Sequence, residues 1–136
     1  MLMPEKIDNN MFAPCGVDCM TCTYHISSCP GCRMGNHGKT KSTLKCKIKA
    51  CFDNKKFKYC SRCSQFPCKL IKKHDKNYKK RYNISPINNS KEVENRGINN
   101  FMKKEQLEWS CPDCNHIISF NDKICSNCKK IKEENI

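Results

Sequence analysis

The chain has 136 residues with 14 cysteines, a formal net charge of +13, and a hydrophobic fraction of 38% that includes those cysteines. Without them the apolar core is thin, and a small domain of that kind depends on metal or disulfides. No apolar run reaches transmembrane length and no secretory signal is visible, so the chain reads as cytoplasmic, with reduced cysteines that serve as metal ligands.

Residues 1–14 carry no pattern and are expected to form an arm. The stretch Cys15–Cys32 then sets five cysteines in eighteen residues, CGVDCMTCTYHISSCPGC. Two residues between cysteines make a tight turn that brings both thiolates onto one metal ion. Asp18 is the expected N-cap of a helix running through Met20 to about Ile26, with Cys19 and Cys22 on one face. Cys29 and Cys32 bracket a knuckle in which Gly31 lets the backbone approach a metal. Residues 33–45 read as a loop. Cys46 and Cys51 flank a short helix, and Cys60 and Cys63 form a second knuckle leading to Cys68.

From Cys68 to Tyr82 the period is helical. Leu70, Ile71, His74, Tyr78 and Tyr82 share one side, while Lys69, Lys72, Lys73, Lys76, Lys79 and Lys80 share the other. Ser85 and Pro86 predict the start of a helix that ends near Arg96, with Gly97 as a left-handed stop. A further helix is expected over 98–107, with Ile98, Phe101, Met102 and the stem of Glu105 inward. Cys111, Cys114, Cys125 and Cys128 then have the spacing of a zinc ribbon, with strands at His116–Phe120 and Lys123–Ile124 around an Asn121-Asp122 turn. Asn115 suits the left-handed position after the first knuckle, and Lys129 suits it less after the second. The tail from Lys129 onward is expected to fray.

The fold class implied is a small metal-stabilised α+β protein. It divides into an irregular cysteine-rich domain with short helices (1–82), a helical connector (83–108) and a C-terminal zinc-ribbon hairpin (109–136). The compact spacing of its four ligands makes that ribbon read as separable.

CGVDCMTC…CPGC, CKIKAC, CSRCSQFPCKL and SPINN…GINNFM, followed by the ribbon, resemble an uncharacterised cysteine-rich prokaryotic family, domain of unknown function 3795. The resemblance is read from about Cys15 to Cys128. It implies a small cytoplasmic metal-binding protein and no particular reaction.

Three zinc ions are the simplest cofactor count, one in the ribbon and two among the ten N-terminal cysteines. Two thiols are then left over, and Cys15 and Cys68 are the expected ones. The alternative is an iron–sulfur centre, because Cys15, Cys19 and Cys22 have the spacing with which radical S-adenosylmethionine enzymes hold a 4Fe–4S cluster. Those enzymes need a large barrel that this chain cannot supply. Zinc is redox-inert, so the choice of metal decides between a binding module and a redox protein.

The basic charge is concentrated. Residues 39–81 hold sixteen Lys or Arg against two Asp, the footprint of a phosphate-backbone binder. Lys69, Lys72, Lys73, Lys76, Lys79 and Lys80 are the candidate contacts to RNA or DNA. Phe52, Phe57, Tyr59, Phe66, Tyr78 and Tyr82 are candidate stacking platforms. Against this, 22 of the 26 basic residues are Lys, which the composition of an AT-rich genome also produces. A protein partner is the other reading of the surface. His25, His37, His74 and His116 read as incidental, with His37 a possible substitute ligand. No Ser/His/Asp, phosphate-loop or paired-carboxylate constellation is present, which argues against an enzyme.

Overall fold

The computed structural model describes residues 1–27, 29–33, 39, 47–48, 51 and 59–132. Cys46, His37, Phe52, Phe57 and most of the expected 33–45 loop lie outside the described residues.

The N-terminal residues do not form an arm. Met3, Met11, Phe12 and Ala13 are buried, and Phe12 packs edge-on against Phe101 and Tyr59, with centroids 5.3 and 6.0 Å apart. Burying Met and Phe side chains is worth about 1.5–3 kcal/mol each, which outweighs the missing periodicity. The chain then turns tightly at 13–17, closed by the Gly16 N–H to the Ala13 carbonyl and the Ala13 N–H to the Val17 carbonyl, at 3.0 and 2.8 Å. Gly16 takes a positive φ of 100°.

Asp18 caps as expected, accepting the Met20 N–H at 3.0 Å. The helix it begins is broken, however. A 3₁₀ turn at Cys19–Thr21 stops at Cys22, and the helix α1 follows at Thr23–Ser27. The break lets Cys19 and Cys22 follow different backbone directions instead of one helical face.

Three helices follow the second knuckle: α2 at Lys69–Tyr82, α3 at Pro86–Arg96 and α4 at Ile98–Glu108. Cys68 is the N-cap of α2, and Asn83 ends it in the left-handed conformation. The Ser85 side chain caps α3 by accepting the Asn88 N–H, with Pro86 in the first turn. Gly97 does not adopt the left-handed helical stop expected of it. Its φ of 83° and ψ of 153° form a single extended hinge, a region open essentially to glycine alone, and it serves as both the end of α3 and the start of α4. α3 packs against both α2 and α4. Asp75 ties α2 to the start of α3, accepting Ser85 Oγ at 2.6 Å and the Ile87 N–H at 3.0 Å.

Beyond Trp109 the expected hairpin is reduced to isolated antiparallel bridges, Ser110 with Ile117, Ile118 with Cys125 and Ile124 with Ile131. No continuous strand occurs among the described residues. The backbone amides here serve the knuckles and neighbouring segments instead. Asn115, Lys123 and Lys129 all take a positive φ near 60°, so Lys129 does accept the strained position. The tail is docked as far as Lys132, whose N–H reaches the Lys123 carbonyl at 2.7 Å.

Contacts cross the junction after the connector. Ile117 N–H meets the Met1 carbonyl, and Phe120 N–H meets the Thr21 carbonyl, at 2.8 and 3.0 Å. Met3, Phe12, Ile71, Phe101, Trp109, Ile117 and Phe120 belong to one buried cluster. The C-terminal unit therefore packs on the common core rather than standing apart.

Candidate metal centre

Four thiols converge at the C-terminal unit. The Sγ atoms of Cys111, Cys114, Cys125 and Cys128 all lie within 4.8 Å of one another. Cys111 is 3.7 Å from Cys128, and Cys114 is 3.5 Å from Cys125. A tetrahedral thiolate site with metal–sulfur bonds near 2.3 Å requires sulfurs about 3.8 Å apart, so the donor set fits a single ion.

Backbone amides point at the sulfurs in a repeating way. The Asn127 N–H donates to Cys125 Sγ at 3.5 Å, and the His116 and Lys130 amides do the same for Cys114 and Cys128. Each donor stands two residues after its cysteine, the geometry that the C-x2-C turn imposes. Such donors favour thiolates. The Cys114 thiol is lowered to about 6, first by the His116 N–H. Cys128 moves the other way. The Lys130 amide lowers it, but burial and the shared network with Cys125, Cys111 and Cys114 win and push it up to about 11. Four crowded thiols cannot all ionise without a cation among them.

The N-terminal cysteines fall into two neighbourhoods. Cys19 hydrogen-bonds to Cys32 and lies near Cys15; that bond, then burial, pushes its thiol well above the ordinary range. Cys15, Cys19 and Cys29 are buried, and Cys22 and Cys32 are half-buried. The second neighbourhood is a cavity of about 280 Å³ lined by Cys51, Cys60, Cys63 and Cys68 together with Tyr59 and Ile71. Cys68, expected outside any four-ligand site, thus stands with three others. Burial first, and then Cys68, Cys51 and Cys63, push the Cys60 thiol up to about 11. None of the thirteen described cysteines forms a disulfide.

Arg33 stands between the two neighbourhoods. Its Nε donates to the Phe12 carbonyl at 2.8 Å and its guanidinium lies over Tyr59, 5.2 Å from the ring centroid. Burial lowers its pKa, against the opposing pull of Tyr59, Cys19, Cys15 and Cys60. A single half-buried arginine among so many lysines gives no spacing signal, so the sequence does not reveal it.

His25 and His116 take backbone partners. His25 Nδ1 donates to the Cys29 carbonyl at 2.6 Å and His116 Nδ1 to the Cys114 carbonyl at 3.0 Å, which places both beside cysteine turns as supports. Nε2 of His74 is buried without a hydrogen-bond partner, and burial keeps that ring neutral by lowering its pKa.

A family model described as "Protein of unknown function (DUF3795)" matches residues 11–73. Over residues 11–73 the chain is similar to that family. The match ends inside α2, so the resemblance extends less far than the motifs suggest, and the C-terminal four-cysteine unit lies outside it. No curated protein and no solved structure matched the chain.

The matched segment and α4 together form one group that sequence reading missed. Asp18 and Glu105 on α4, distant in sequence, form a buried carboxyl pair. Burial first, offset in part by bonds from Met20 and Thr21, raises Asp18 from 3.8 to about 7. Burial, then the charges of Asp18 and Glu108, raise Glu105 from 4.5 to about 8. Oδ2 of Asp18 is buried without a hydrogen-bond partner.

Both carboxyls hold their protons more tightly in the fold than in the unfolded chain. Stability is therefore unaffected below about pH 4, and it falls as pH rises from there to about 8. The slope is at most about 1.4 kcal/mol per pH unit for each group. Glu105→Gln removes one share of that fall. In urea melts with saturating zinc, the variant is expected to exceed wild type already at pH 6 and by a wider margin at pH 8.5. Equal destabilisation at both pH values would show that Glu105 matters through shape alone.

Proposed function

We propose that the protein is a zinc-stabilised binding module of a reducing compartment, the cytoplasm, that meets an acidic partner through the lysine face of α2. The convergence of four sulfurs at Cys111, Cys114, Cys125 and Cys128 carries the metal assignment, because a closed tetrahedral thiolate set suits zinc and leaves no position for a substrate. Among the described residues, no helix is long and apolar enough to cross a membrane.

The lysine face supports the binding half. Lys69, Lys72, Lys73, Lys76, Lys79 and Lys80 are all exposed. Not every one is free of the fold, however, since Lys79 pairs with buried Asp75 at 3.2 Å. Three of the candidate aromatic residues are otherwise engaged. Tyr78 and Tyr82 pack on Phe120 of the C-terminal unit, with centroids 6.0 and 5.7 Å away, and Tyr59 is buried against Phe12. They are not open platforms for bases. The reading is thus contact with a phosphate backbone by point charges, without base readout.

Fluorescence anisotropy with short single-stranded RNA tests it. About five phosphate contacts predict a fall in affinity of roughly 100-fold between 50 and 200 mM salt. Lys72, Lys76 and Lys80, each replaced by Glu, should weaken binding at least tenfold with the melt unchanged; Lys79 is left alone because of Asp75. No binding by wild type at low salt would remove nucleic acid and leave an acidic protein as the partner. Iron and acid-labile sulfide in place of zinc at the C-terminal unit would overturn the metal assignment.

A further inference from the structure

We propose that Cys51, Cys60, Cys63 and Cys68 form the complete ligand set of one soft-metal centre, seated in the cavity at the start of α2 and separate from the cysteines of 15–32. This goes beyond the C-terminal zinc assignment and does not depend on it. All four thiols line the same cavity, and none is in a disulfide.

The backbone presents them as ligands. Cys60 and Cys63 sit at the ends of a 3₁₀ turn closed by the Cys63 N–H to the Cys60 carbonyl at 3.0 Å. The Phe66 N–H continues the turn onto the Cys63 carbonyl at 3.0 Å. Cys68 is the N-cap of α2, yet its side chain makes no capping bond, so the sulfur is not spent on the helix amides. The remaining wall includes Ile48, Tyr59, Phe66, Leu70 and Ile71. In so apolar a setting, four thiols are stable together as protonated thiols or as thiolates around a cation, and thiolate ligands select zinc or an iron–sulfur centre.

The ring is more open than the C-terminal one. Among the described residues, three or more ligand atoms gather within 4.8 Å only at Cys111, Cys114, Cys125 and Cys128. The cavity thiols would draw inward on a single ion, or remain wide around a cluster. Both occupants share thiolate chemistry, and metal analysis distinguishes them.

The full chain, loaded with zinc alone, is titrated with chelator and alkylated with iodoacetamide at each step. Mass spectrometry then maps the label. Cys51, Cys60, Cys63 and Cys68 are expected to gain label together, in a step distinct from Cys15, Cys19, Cys22, Cys29 and Cys32. Labelling of Cys51 in the loaded protein while the other three stay protected would overturn the ligand set. So would release of Cys60 or Cys68 in step with Cys15 and Cys19. Cys63→Ser should lose one metal equivalent and Cys63→His should restore it. If Cys63→Ser does not fold, the wild-type labelling pattern still decides. Anaerobically purified protein whose iron and sulfide leave with the same four thiols would support the ligand set and identify the occupant as a cluster.

Discussion

Stripping the metal from the C-terminal unit is expected to unfold more than the unit itself. Structural zinc in thiolate sites contributes about 10–16 kcal/mol near neutral pH, as much as or more than the about 5–15 kcal/mol that separates a typical fold from its unfolded chain. The four knuckle cysteines carry Ile117, Ile118 and Phe120 on the backbone between them, and those side chains are buried in the common cluster with Phe101 and Met3. Trp109, the one tryptophan in the chain, is 4% exposed and two residues from Cys111. Its emission reports on this region directly. Chelation, or Cys125→Ser in zinc-saturated buffer, is expected to shift that emission to the red and abolish the cooperative melt. A chelated protein that keeps blue emission and its helical circular dichroism would show that packing suffices without metal.

Gly16→Ala is expected to be the most damaging substitution among the residues that bear no thiol. A side chain at a left-handed φ costs about 1–2 kcal/mol. Space adds to that, because the new methyl would overlap the Pro86 carbonyl oxygen and lie 2.7 Å from Ser90 Oγ. Neither can yield easily, since Pro86 and Ser90 are buried on α3. Asn89 further pins the turn, donating to the Gly16 carbonyl at 3.0 Å. Overpacking of this kind costs about 1–3 kcal/mol more. Thermal melts followed by Trp109 emission should show a drop of roughly 10 °C, at about 2–4 °C per kcal/mol for a chain of this size. Gly97→Ala is the control, because its added methyl meets nothing within 4 Å and only the backbone cost remains. Equal losses at the two glycines would mean that the Pro86 contact relaxes.

The elements that were legible in the sequence are those with local causes. The capping at Asp18 and Ser85, the α2 period and the C-terminal ligand spacing each depend on residues within a few positions of one another, and the structure reproduces them. The N-terminal segment was not legible, because Phe12 is buried by Phe101, a partner far along the chain. The same holds for the carboxyl pair of Asp18 and Glu105 and for Arg33 between the two cysteine neighbourhoods. The hairpin is present only as isolated bridges, for another reason. Alternation at 116–120 looked like a strand, but amides that serve sulfurs and neighbouring segments are not available for a regular ladder. Aromatic residues near lysines suggested stacking, and only the packing of Tyr78 and Tyr82 on Phe120 shows where those rings are used.

Asp75 has a consequence for how α2 meets its surroundings. Burial raises its carboxyl pKa, but the bonds from Ser85, Ile87 and Lys79 outweigh that and hold it below the ordinary range, so it stays ionised at neutral pH. It fixes the middle of α2 against the start of α3, while Lys123, donating to the Tyr82 carbonyl at 2.8 Å, holds the C-terminal end of the same helix. A helix held at its middle and its last turn, with Ile71 buried near its start, resists swinging, and the exposed lysines stand on a rigid rail at constant spacing. An incoming polyanion then orders only flexible lysine stems, not the backbone that carries them. Preorganisation of this kind lowers the entropic cost of association without adding a contact.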